Sequence, residues 1–140
     1  MKPMIKAAVV GVNHIGNIHC QTYQQHPDTE LVAVCDLVEE RARRSGKEYS
    51  AKAYTSLELL LKEEDVDLVS VATAGEENGS HHYQPVMLAI EAGKDVLVEK
   101  PISNSIEEAR KMVKRAREKG VRLACNLNHA SFLPPIKERN

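Results

Sequence analysis

Along this chain, short Val-rich apolar runs alternate with stretches in which apolar residues recur every three to four positions. The runs occupy 7–12, 31–35, 68–72, 96–98 and 121–125. Most are continuous rather than alternating with polar residues, the pattern of parallel strands covered on both faces. Between them the sequence predicts helices over 15–25, 38–49, 56–62, 84–92 and 106–120. The last is the best marked. Ser105 can cap it and Glu108 can reach back to the Ser105 amide as a capping box. Its apolar face would be Ile106, Ala109, Val113 and Ala116, and Gly120 is placed to end it. In the helix over 84–92, Pro85 falls in the first turn, where its missing N–H would be unpaired anyway. Strand–helix alternation of this kind implies right-handed crossovers and an α/β fold with a doubly wound, mainly parallel sheet. Ligands of such sheets sit beyond the carboxyl ends of the strands, so the loops after each run hold the candidate chemistry.

The 140 residues are 42% apolar and 28% charged, with no repeat or low-complexity tract, which fits one globular domain. Nineteen Lys and Arg against twenty Asp and Glu leave a net charge of -1, which gives no electrostatic footprint for nucleic acid or an anionic membrane. No run approaches the ~20 apolar residues of a membrane span, and a cytoplasmic location is the expectation. Cys20, Cys35 and Cys125 cannot all pair and form no Cys-x-x-Cys, so they read as buried free thiols.

The loop after the first run reads Gly11-Val12-Asn13-His14-Ile15-Gly16 and opens a helix. A dinucleotide-binding turn needs a tight turn at its first Gly, close backbone approach to a pyrophosphate at the second, and helix–strand packing at the third. Asn13 stands at the second position; Asn tolerates left-handed geometry, yet its side chain crowds the place of closest approach. The other reading of the loop is a simple tight turn. Asp36 ends the second run at about the distance expected for a carboxylate that accepts from the adenosine ribose and repels the extra phosphate of NADP. Otherwise it is a solvated cap of the next helix. His81 and His82 invite a metal reading, but adjacent residues point apart and no third ligand is spaced to join them, so no metal is expected. Either histidine fits a cofactor edge or a helix start.

At Glu99-Lys100-Pro101, ending the run after Asp95, the chain closely resembles the N-terminal domain of the Gfo/Idh/MocA oxidoreductases. Glu91-Ala92-Gly93-Lys94 before it and Asn128 after the last run extend the likeness over nearly the whole chain. The resemblance implies a Rossmann fold over 1–126 binding NAD in preference to NADP. It implies a start of connection to a C-terminal α/β substrate domain over 127–140, that domain itself being absent. It assigns Lys100 as the catalytic residue, beside the reacting oxygen, and a commonly cis bond before the Pro. Glu99 would orient Lys100 or contact the cofactor. Gly11, Asn13, His14, Ile15, Gly16, Asp36, Thr73, Ala74, His82 and Asn128 would complete the cofactor site. The segment Glu76-Glu77-Asn78-Gly79-Ser80 and the stretch His129-Ala130-Ser131-Phe132 depart from the family pattern, and the substrate contacts of the family's arginines do not carry over. Family members run to more than twice this length, so the chain reads as part of a homo-oligomeric NAD(P)-dependent oxidoreductase, inactive by itself. Its parent would move a hydride between nicotinamide and a sugar, polyol or related hydroxyl-bearing metabolite. The alternative is a stand-alone nucleotide-binding regulatory module.

Overall fold

A computed structural model describes residues 3–74 and 79–127. Six strands, β1 (Ile5–Val10), β2 (Thr29–Cys35), β3 (Lys52–Tyr54), β4 (Leu68–Val71), β5 (Asp95–Glu99) and β6 (Leu123–Asn126), form one sheet in the order β3-β2-β1-β4-β5-β6. Every pairing is parallel. Chain direction across the sheet reverses between β1 and β4, the switch point at which such sheets bind ligands.

Helices α1 (His14–Gln25), α2 (Glu39–Tyr49), α3 (Leu57–Glu63), α4 (Tyr83–Glu91) and α5 (Ile106–Lys119) connect the strands. Two apolar clusters match the two faces. Ala7, Val9, Leu31 and Val34 meet Cys20 and Tyr23 of α1, while Val69, Val71, Val96 and Val98 meet Leu60, Ile90 and Met112 of α3, α4 and α5. Burial on both sides explains why the strands read as continuous Val runs.

Three local features differ from the expectations. Strand β3 has no apolar run; it is an edge of three residues aligned on Ala33, Val34 and Cys35 of β2. In α5 the buried residues are Met112 and Ala116, while Ile106 is 76% and Val113 39% exposed, so the helix is turned from the expected face. The Ser105 hydroxyl does accept the Glu108 N–H, but the return half of the box runs through a third side chain. The Ser105 N–H donates to the Ser103 hydroxyl, which in turn donates to the Glu108 carboxylate.

Candidate functional site

The loops after β1, β2, β4 and β5 open on one edge of the sheet. Gly11 has φ 87°, and a Cβ there would lie 2.7 Å from the Thr73 backbone N, so the turn after β1 is pressed against the loop after β4. A Cβ on Gly16 would lie 1.7 Å from the Gly11 carbonyl oxygen. No side chain fits at either position. The first turn of α1 holds no acidic residue, and Asn13, its N-cap, makes no side-chain cap. Asn13 has φ −88°, extended rather than left-handed. Asn13, His14 and Ile15 are exposed around this positive helix end, where backbone N–H groups favour an anion.

Asp36 is 6% exposed and is not a solvated cap. Its Oδ2 accepts the Val12 N–H at 3.0 Å, and its Oδ1 accepts the Val38 N–H at 2.8 Å and the Arg41 Nε–H at 3.2 Å. It thereby joins the end of β2 to the turn after β1. Oδ2, with one partner, keeps capacity for a further donor.

The loop after β4 carries Thr73 and Ala74, the first half-buried and the second exposed. The His82 ring is 3% exposed and lies between two loops, Nε2 3.0 Å from the Thr73 carbonyl oxygen and Nδ1 2.8 Å from that of Pro101. His82 thus sits as a strut between the Thr73 and Pro101 loops, with little surface left for a ligand. His81, its neighbour, is exposed, and among the described residues no cluster of metal-ligating side chains occurs.

Lys100 is exposed at the end of β5, and the Lys100–Pro101 bond is cis. Glu99 beside it is buried and well partnered. Burial raises its pKa, but hydrogen bonds from Asn126 and His19 and from the Lys100 N–H outweigh burial and hold the carboxyl below the ordinary Glu value. His19, Ser70 and Asn126 were not singled out by the sequence. Ser70 interrupts an apolar strand and His19 falls on the buried stripe of α1, which was the available signal. The edge gathers Gly11, Gly16, Asp36, Thr73, Ala74 and Lys100; Asn128 lies outside the described residues, as do 75–78. A cradle without Cβ atoms, an open helix N-terminus and a carboxylate with acceptor capacity beside the turn all fit a dinucleotide.

A family model described as "Oxidoreductase family, NAD-binding Rossmann fold" matches residues 5–127. D-glucoside 3-dehydrogenase of Escherichia coli is 32% identical over 127 residues, 89% of this chain and 35% of its own length. A dehydrogenase from Bordetella pertussis solved with NADH and UDP-GlcNAcA superposes with TM-score 0.84 at 29% identity, over 91% of this chain and 39% of that one. A 3-ketoreductase from Actinomadura kijaniata, solved with TDP-benzene and NADP, gives 0.78 at 28% identity, over 88% and 38%. The chain spans about a third of the length of the curated relatives it matches.

Proposed function

The chain belongs to the Gfo/Idh/MocA oxidoreductase family, and from that membership we propose that it is the cofactor-binding part of an NAD(P)-dependent oxidoreductase acting on a sugar, a polyol or a related hydroxyl-bearing metabolite, with NAD favoured over NADP. The observation that carries this reading is the placement of the glycine turn, Asp36 and Lys100 on one edge of the sheet around its switch point. The sugar class draws its support from the glucoside dehydrogenase among the relatives. Nothing among the relatives supports a stand-alone regulatory module.

The turn at Gly11–Gly16 takes the pyrophosphate on the N-terminal amides of α1. Asp36 Oδ2 accepts from a ribose hydroxyl, and its charge opposes a 2'-phosphate. Arg41 on the other oxygen of the same carboxylate softens that opposition without removing it. When bound, the nicotinamide ring supplies the hydride acceptor or donor. On this reading the Lys100 ammonium would stabilise negative charge on the substrate oxygen, which appears as the hydroxyl gives up its proton ahead of hydride departure or, in the reverse direction, as hydride adds to the carbonyl. Glu99 orients Lys100 through the backbone. Substrate positioning and the main acid/base come from outside residues 5–127 on this reading.

Calorimetric titration of the 140-residue chain with NADH and NADPH tests the proposal. Tighter NADH binding is the expected result; equal or reversed affinities would overturn the role of Asp36, and binding of neither would overturn the cofactor reading. The chain alone should produce no NADH in a sugar- or polyol-dependent way, because proximity and a placed acid/base each contribute orders of magnitude to such a reaction.

A further inference from the structure

Four buried side chains from three elements form a continuous hydrogen-bonded chain beneath the candidate site. Tyr23 and His19 come from α1, Ser70 from β4 and Glu99 from β5, with Asn126 of β6 joining at the end. The Tyr23 hydroxyl lies 2.5 Å from Ser70 Oγ, which lies 3.1 Å from His19 Nδ1. His19 Nε2 lies 2.6 Å from Glu99 Oε1, which also accepts from Asn126 Nδ2 at 2.7 Å. The placement follows from register. Ser70 aligns with Leu97 and Glu99 with Asn126, so the four side chains share the face that α1 covers.

An ionised carboxylate can only accept, so His19 Nε2–H donates to Glu99. On the other side of the ring, Ser70 Oγ lies within hydrogen-bond distance of both His19 Nδ1 and the Tyr23 hydroxyl, and a hydroxyl can serve both. The chain ends on Glu99, which Lys100 follows directly in sequence. An apolar side chain at position 19 alone would leave the buried Glu99 carboxylate and Ser70 hydroxyl short of a partner, so the imidazole is what satisfies both.

We propose that His19 is a positioning residue, which holds Glu99, and through the Lys100 backbone the loop that carries Lys100, in fixed relation to α1 and the glycine turn. His19 lies one helical turn beyond Gly16, which the Gly11 carbonyl oxygen contacts closely, so the chain joins the two ends of the site in one rigid piece. Hydride transfer tolerates little misplacement of the reacting groups, which gives such a link its use. The inference rests on the proposed assignment of the turn to the cofactor and of Lys100 to the reacting end.

Amide hydrogen exchange and nucleotide titration on the 140-residue chain test it together. In His19→Leu the Lys100 amide should exchange about tenfold faster, the factor carried by the net loss of one ordinary hydrogen bond. Amides of β1 and β2 should keep their protection, and ADP-ribose, which lacks the nicotinamide, should bind within about twofold of wild type. His19→Gln, whose amide still donates toward Glu99, should restore Lys100 protection. Ser70→Ala removes one link with little change in volume and should give a smaller loss in the same direction, which decides the matter if His19→Leu does not fold. Unchanged Lys100 exchange in these variants, or an equal loss at every strand, would overturn the proposal. If wild type bound no nucleotide, the cofactor reading would fail while the exchange comparison still judged the positioning role.

Discussion

Asp36 and Val12 join the end of β2 to the turn after β1: the Asp36 carboxylate accepts the Val12 N–H at 3.0 Å, inside the loop where a cofactor would lie. One carboxylate therefore shapes the turn and, on the proposed reading, would also meet the ribose. Asp36→Asn keeps an acceptor for one of the two backbone N–H groups, sets its amide against the other, and loses the charge. NADH affinity should fall about tenfold, as for loss of a hydrogen bond to a charged group, and the preference over NADPH should narrow. Paired calorimetric titrations measure both; an unchanged ratio would separate Asp36 from cofactor choice.

The contact between Gly16 and the Gly11 carbonyl oxygen leaves no room for a methyl group, and the obstacle is backbone rather than a mobile side chain. Gly16→Ala should cost about 3 kcal/mol or more and lower the melting temperature by on the order of 10 °C. NADH binding should be lost with it. Thermal unfolding followed by circular dichroism is the check, and wild-type stability would mean the turn is looser than described.

Glu99 sets a pH dependence. Its folded pKa is lowered, because hydrogen bonds from Asn126, His19 and Lys100 outweigh the upward push of burial. Its contribution to stability is thus complete above the ordinary Glu value near ~4.3 and is lost as pH falls through the lower folded value. Glu99→Gln should be less stable than wild type at pH 7, with the gap shrinking as the medium is acidified. Urea unfolding at a series of pH values reads this directly, and a gap independent of pH would contradict it.

The thiols should differ in reactivity. Burial pushes Cys20 and Cys35 up to about 12, so neither forms appreciable thiolate near neutral pH. Cys125 is only half-buried, though it too is raised by burial and by Glu99. Alkylation of the native chain at pH 8 should therefore modify Cys125 first and reach the other two only on unfolding, as peptide mapping would show.

Much of the fold was legible because both faces of the sheet are covered, which writes each of five strands as an apolar run. Strand β3 was not, since Lys52-Ala53-Tyr54 gains strand geometry only from its alignment with β2. In α5, Ile106, Ala109, Met112, Val113 and Ala116 span an arc too wide to fix which flank turns inward, and packing on α4 selected Met112. The glycine turn, Asp36 and Lys100 stood out as residue types at strand ends. The His19–Glu99 pair did not, because its members are 80 positions apart and only the strand order brings them together. His82, expected at a cofactor edge or a helix start, is the N-cap of α4, with its ring turned inward between the carbonyl oxygens of Thr73 and Pro101.

Chemical-shift mapping of the 15N-labelled chain titrated with NAD tests the cofactor site most directly. The expected changes cluster on the amides of 11–16, 36–38, 73–74 and 100, all at one edge of the sheet. Changes confined to the opposite edge, or none at saturating NAD, would contradict the account.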